Sequence, residues 1–318
     1  MNLKRFPILA AVFFLIFTLT MPNFVSAEDA DLEALWQYND EVADRAENYI
    51  QTVVQNSPLK KKYKSKQRPI LIEGAMNIEI EKLVRALKKP TVYNFSKYVF
   101  IAGTYKDYPV VVLRTEQGLA NAVASTVIGI KEFNPIAVIN QGTAGGHIPT
   151  LHNYDIVIGA KSVNIAAYRT EYTPEGAGID MTKQDMRGTY AYDETSQEFK
   201  LNTDYDSDTK LLSIAESVAD SHQEFTTMTG TISSADSWIE LVDYMTFLHE
   251  KYGSLCEEME NNAVASICKS NKVPFIGIRV ISDNATNGEK YVRATAYTCQ
   301  DFVLLVAEKY IQGLKAKD

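Results

Sequence analysis

Apolar and polar positions along this chain follow two rhythms in turn. From Ala30 to Gln55 the apolar residues Leu32, Leu35, Trp36, Val42, Ala46, Ile50 and Val53 recur at the three-to-four-residue spacing of one amphipathic helix. The basic stretch KKKYKSKQR that follows reads as a solvated linker, and PILIEG then opens a strand. Beyond it, short apolar runs predict strands at 69–74, 98–105, 108–115, 135–140, 154–167, 226–234 and 274–282. Helical spacing predicts helices near 77–88, 119–133, 208–221, 238–250, 260–270 and 293–315. Strands separated by helices predict an α/β fold of three layers, a mixed central β-sheet flanked by helices, with an extra N-terminal helix. Residues 168–207, rich in Tyr, Thr, Asp, Gly and Glu, show little periodicity and read as one long loop.

The first 27 residues stand apart from this pattern. Lys4 and Arg5 precede the apolar run FPILAAVFFLIFTLTM, and Val25-Ser26-Ala27 forms a small-x-small step before Glu28, the signature of an export signal. The run is shorter than the roughly 20 residues that span a bilayer, so cleavage is expected and no stable membrane anchor afterwards. Three segments follow: a signal peptide at 1–27, a helix and basic linker at 28–68, and the main domain at 69–318. Losing Lys4 and Arg5 takes the formal charge from −8 to −10, which argues against sequence-independent nucleic-acid binding. With 46% hydrophobic residues in 318, the chain can build a large core without staples. Cys256, Cys268 and Cys299 leave open one disulfide or three buried thiols. His147, His152, His222 and His249 show no zinc-ligand spacing, so neither metal nor cofactor is expected.

Four stretches fall at predicted strand ends, where open α/β sheets bind their ligands. They are EGAMNIEIEKL (73–83), INQGTAGG (139–146), ISSADSWIE (232–240) with CEEMENNAVASIC (256–268), and IRVISDNA (278–285). The glycine stretch lacks G-x-G-x-x-G spacing and reads as a tight turn rather than a dinucleotide fingerprint. In order, spacing and content the four resemble the purine nucleoside phosphorylase/uridine phosphorylase superfamily, and within it the 5′-methylthioadenosine/S-adenosylhomocysteine nucleosidases, over about residues 69–315. The resemblance implies a nucleoside phosphorylase-like fold and hydrolysis of the N-glycosidic bond of adenosine-type purine nucleosides, with 5′-methylthioadenosine or S-adenosylhomocysteine as candidates. A phosphate-dependent phosphorylase and a non-catalytic binding or storage protein of the same fold stay open as alternatives.

Breaking an N-glycosidic bond builds positive charge on the ribose and negative charge on the base, so it calls for an acid at the base and an activated nucleophile at the sugar. The resemblance implies Asp283 as the acid that protonates adenine N7, its pKa raised by burial. It implies Glu79 as the group that activates and positions water, Glu260 as acceptor for both ribose hydroxyls, and Met259 against the sugar face. Met76 becomes a pocket wall and Thr143 a hydroxyl for the water or ribose network, while Glu258, Arg279 and Ser282 complete the binding set. Trp238, where phenylalanine is usual, stacks on the base, and the backbone of Ile239 meets its Watson–Crick edge. Glu257 is expected at the surface.

Phosphate needs fixed cations. Glu79 and Asn140 stand where the arginines of a phosphorylase would be, which favours water as nucleophile; Arg114 and Arg279 are the remaining cations to place. The expected partners are therefore a small purine nucleoside and water. The resemblance also implies a homodimer whose neighbour closes the 5′ site, with Tyr291 a candidate wall. Asn94 and Asn284 head formal glycosylation sequons. A glycan on Asn284 would crowd the proposed acid, which favours a bacterial protein exported to the periplasm or the medium.

Overall fold

The computed structural model describes residues 27–193 and 196–316, so the expected signal lies outside it but for Ala27. Helix α1 (Ala27–Asn56) crosses a division of the chain into two compact units at Gln37/Tyr38. In the second unit its buried face is Val42, Ala46 and Ile50, spaced by one helical turn, which pack beside Ile78 and Ala296 and onto the main core. Trp36, placed on the apolar face by its spacing, is instead exposed. The linker does not float: Leu59 bridges to Val92, and the Tyr63 ring packs on Tyr93 and Phe133 at 5.9 and 4.9 Å.

Strand β1 (Ile70–Gly74), helix α2 (Asn77–Ala86) and the strands β2 (Lys88–Phe95), β3 (Tyr98–Tyr105) and β4 (Tyr108–Arg114) come next. They are followed by α3 (Leu119–Phe133), β5 (Ala137–Gly146) and β6 (Ile156–Asn164). The expected long loop contains short strands, β7 (Tyr168–Thr170), β8 (Gln184–Met186), β9 (Thr189–Asp193), β10 (Glu198–Asn202) and β11 (Asp204–Asp206). The chain closes with α4 (Thr209–Ser221), β12 (Thr227–Ser234), α5 (Val242–Tyr252), β13 (Ser254–Glu258), α6 (Asn261–Ser270), β14 (Phe275–Asp283) and α7 (Ala296–Lys315).

Ten strands form one mixed sheet. Its two faces are covered because its strands are apolar on both sides: Ile70 and Ile72 of β1 enter the core under α2, α4 and α7, while Leu71 enters the core under α3 and α6. Val110 and Val112 against Val111 and Leu113 of β4 repeat the alternation. Strand β5 pairs with β14, β14 with β6, β6 with β12, β12 with β13, and β13 back with β5, so half of the sheet closes into a ring. One acid sits within these layers. Glu73 on β1 is fully buried and accepts from Thr126 Oγ1 at 3.0 Å and Asn140 Nδ2 at 3.3 Å. Burial pushes its carboxyl up to about 7. All three cysteines are buried free thiols.

Candidate active site

The carboxyl ends of β1, β5, β12, β13 and β14 converge on a cleft of about 560 Å³. It is lined by Met76, Glu79, Thr143, Trp238, Glu258, Met259, Glu260, Ser282, Asp283 and the candidate wall Tyr291 of the expected residues, together with Gln117 and Glu257.

Glu79 stands in the first turn of α2 and bridges two strand ends. Its Oε2 accepts the N–H groups of Ala75 (2.8 Å) and Met76 (3.0 Å), and its Oε1 accepts Thr143 N–H (2.8 Å) and Thr143 Oγ1–H (3.1 Å). All four acceptor positions of the carboxylate are thereby filled, which fixes it in place. The Thr143 hydroxyl is the one donor able to rotate and cede its position to water. Gly142 permits the arrangement, because a Cβ there would lie 2.6 Å from Glu79 Oε1.

Asp283 is the last residue of β14. Burial pushes its carboxyl up to about 6, against a hydrogen bond from Ser282 Oγ (2.8 Å) that pulls it down, and the charges of Glu257 and Glu240 add to the rise. A carboxyl group so placed holds a proton at a pH where an ordinary aspartate has lost it.

Glu260 begins α6 and is pushed up to about 8 by burial, then by the neighbouring charge of Glu258. Its Oε1 accepts Gly118 N–H at 2.8 Å. Glu258 accepts the N–H groups of Glu260 and Asn261, each at 2.9 Å, as well as Ser234 Oγ–H and the Arg279 guanidinium. It therefore organises the start of α6. Arg279, expected around ribose and water, does not line the cleft. It is buried beneath Glu258, donating also to Asn140 Oδ1 at 2.5 Å. The cation at Arg114 is engaged too, by Glu116 Oε1 at 2.9 Å and Asn77 Oδ1 at 2.9 Å, outside the cleft. Among the described residues that line the cleft there is no Lys or Arg.

Trp238 is half exposed and meets the Tyr291 ring edge-on, centroids 5.3 Å apart, so these two aromatics form one wall. Helix α5 starts at Val242, leaving Trp238 and Ile239 on the irregular approach to it rather than on the expected helix. The Ile239 side chain turns away into a cluster with Val163, Met245 and Leu248. Its N–H, expected at the Watson–Crick edge, is held by Glu257 Oε1 at 3.0 Å.

Glu257 corrects the surface assignment outright. It is 6% exposed, lies on β13 and pairs through Oε2 with Nε2 of the fully enclosed His147. Sequence reasoning missed both residues because their partnership spans 110 positions. The usable signal was the apolar spacing of Leu255 and Cys256 beside it, which marks β13 as a buried strand. Asn284 is also buried, its amide donating to Ile148 O and Leu151 O at 2.8 Å each, so that sequon is closed to a glycan.

The Tyr291 wall is held from outside the sheet. Asn39 of α1, fully buried, donates from Nδ2 to Tyr291 O (2.8 Å) and accepts Arg293 N–H (2.8 Å).

Residues 69–312 match the family model described as the phosphorylase superfamily. A 5′-methylthioadenosine/S-adenosylhomocysteine nucleosidase of Bacillus pumilus is 31% identical over 241 residues, covering 74% of this chain and 96% of the relative. Its counterpart from Geobacillus sp. is 30% identical over 247 residues, covering 74% and 97%. Among solved structures, the nucleosidase of that name from Neisseria meningitidis, in complex with methylthio-immucillin-A, superposes with a TM-score of 0.61 at 22% identity over 76% of this chain and 99% of the other. Futalosine hydrolase of Helicobacter pylori gives 0.61 at 21%, over 76% and 98%. At such identities the structural likeness speaks for the fold.

Proposed function

This chain belongs to the phosphorylase superfamily, and we propose that within it the protein is a purine nucleosidase, hydrolysing the N-glycosidic bond of adenosine-type nucleosides such as 5′-methylthioadenosine or S-adenosylhomocysteine and releasing adenine. The observation that carries the choice of water over phosphate is the charge of the cleft. Glu79, Glu257, Glu258, Glu260 and Asp283 face it and no Lys or Arg among the described residues lines it, so a phosphate dianion would meet acids where it needs donors.

In this reading the nucleoside enters with its base between Trp238 and the end of β14. Asp283 gives its proton to N7 as the C1′–N9 electron pair passes to the base, so adenine leaves neutral. Water attacks C1′ and yields a proton to Glu79, whose place beside the Thr143 hydroxyl orients that water. Glu260 holds the ribose hydroxyls with the acceptor positions that Gly118 leaves, Met259 packs on the sugar, and Met76 and Tyr291 bound its 5′ end. Glu258 and Arg279 support this set from beneath, and Ser282 orients the acid.

The test is release of adenine and a free reducing sugar in phosphate-free buffer, at a rate that added phosphate does not raise. A sugar 1-phosphate product, or a rate that saturates with phosphate, would promote the phosphorylase alternative. The proposal includes a homodimer, supported by the exposed apolar group Trp238, Leu241 and Val242 beside the cleft and checked by sedimentation. It also includes export with a mature terminus at Glu28, supported by the sequence of residues 1–27 and checked by N-terminal sequencing from the native host.

A further inference from the structure

The hydrolytic chemistry leaves one carboxylate of the cleft without a task. Glu257 is not a stray surface acid, because burying a carboxylate is costly unless donors hold it. Here they do: His147 takes Oε2 and Ile239 N–H takes Oε1. His147 is itself braced, its Nδ1 lying 2.9 Å from Ser254 Oγ, which accepts from Ser233 Oγ at 2.6 Å. The brace runs through β12 and β13, so Glu257 Oε1 is fixed at the cleft wall rather than free to swing out. It shares the glycine wall with the acid: a Cβ on Gly145 would lie 3.4 Å from Glu257 Oε1 and 3.5 Å from Asp283 Oδ2, so the two oxygens are no more than about 7 Å apart.

A purine carries N7, the substituent at C6 and N1 in sequence along one edge. With N7 at Asp283, the C6 substituent falls in the gap between Asp283 and Glu257. We propose that Glu257, locked by His147, reads that substituent: a 6-amino group donates one proton to the oxygen of Asp283 and the other to Glu257, whereas a 6-oxo group turns lone pairs toward Glu257, with its ring's edge donor, N1–H, lying beyond that position. This rests on the purine nucleosidase reading of the cleft and adds to it a specificity-determining residue that selects 6-aminopurines.

The experiment compares 5′-methylthioadenosine with 5′-methylthioinosine, which differ at position 6 and in the proton that the 6-oxo ring carries on N1, on the full-length wild type, Glu257→Gln and Glu257→Val. The wild type is expected to favour the amino substrate by at least ~10² in kcat/KM, as buried hydrogen-bonding sites do. Glu257→Gln keeps its oxygen on Ile239 N–H and turns its amide toward His147, so an acceptor still faces the cleft and the ratio should stay within ~10-fold of the wild type. Glu257→Val should lose ~10-fold on the amino substrate alone. A purely structural role would lower both substrates together, and an unmoved ratio in Glu257→Val overturns the proposal while leaving the nucleosidase reading intact. Cleavage of neither substrate by the wild type overturns both. Should the variants not fold, product inhibition of the wild type decides: adenine binding more than ~10-fold tighter than hypoxanthine supports the proposal, and equal binding overturns it.

Discussion

Replacing Asp283 by asparagine keeps the shape of the strand end and its hydrogen bond with Ser282 but removes the transferable proton. The size of the effect follows from burial. A carboxyl moved from 3.8 to about 6 is ~10% protonated at pH 7, against less than ~0.1% at its ordinary value, a gain of ~10² in the acid form and roughly 3 kcal/mol. Losing general acid catalysis itself costs ~10²–10⁴ in rate. The wild type should therefore show kcat/KM for adenine release highest below pH 6 and falling about tenfold per unit above it, because the active form is the protonated one. The variant should lie ~10²–10⁴ lower at pH 6 with that limb absent. Adenine release from 5′-methylthioadenosine, followed by chromatography from pH 5 to 9, measures both. A variant within tenfold of the wild type, or a wild-type profile without an ionisation near 6, would refute the assignment of Asp283 as acid.

Two further outcomes can be measured on the same material. Gly142→Ala places a methyl group 2.6 Å from Glu79 Oε1, so the carboxylate must shift; kcat should fall ~10² or more with a smaller change in KM, and near-normal kcat would show that the Glu79 position is not critical. Glu73, Glu260 and Asp283 are pushed up to about 7, 8 and 6, each chiefly by burial, so their contribution to stability is present at low pH and lost as pH rises through those values. The thermal midpoint should fall between pH 5 and pH 8.5, and Glu73→Gln, whose side chain does not line the cleft, should flatten the fall; a midpoint that rises over that range contradicts the burial argument.

The strands buried on both faces were legible because Val, Ile and Leu runs leave little else for the chain to do; β1, β4 and β14 begin and end within a residue or two of their predicted limits. Strand β2 was not, since Lys88, Lys89 and Pro90 at its start carry the polarity of a sheet edge. The polar, aromatic strands within 168–207 lie in small pairs or at an edge, and their apolar alternation never accumulates. The start of α5 was misplaced because Glu257, a partner 18 positions away, captures Ile239 N–H and keeps this stretch out of the helix. Asp283, Glu79 and Glu260, singled out through motifs at strand ends, all line the cleft. Arg279 was placed around ribose and water through the family resemblance, whereas the groups that hold it, a buried acid on β13 and an asparagine on β5, keep it beneath the cleft.

The bond from Asn39 to Tyr291 closes a loop of 252 residues. Viewed along the time axis of synthesis, the first helix of the second unit waits for nearly the whole chain before it meets its partner, and contacts of such sequence separation are paid for in loop-closure entropy before they return any stability. The aromatic wall of the cleft is thus a late product of folding. A nascent chain that has already made the sheet through β13 still lacks Asp283 and Tyr291, so the cleft is complete only once the last segment is in place.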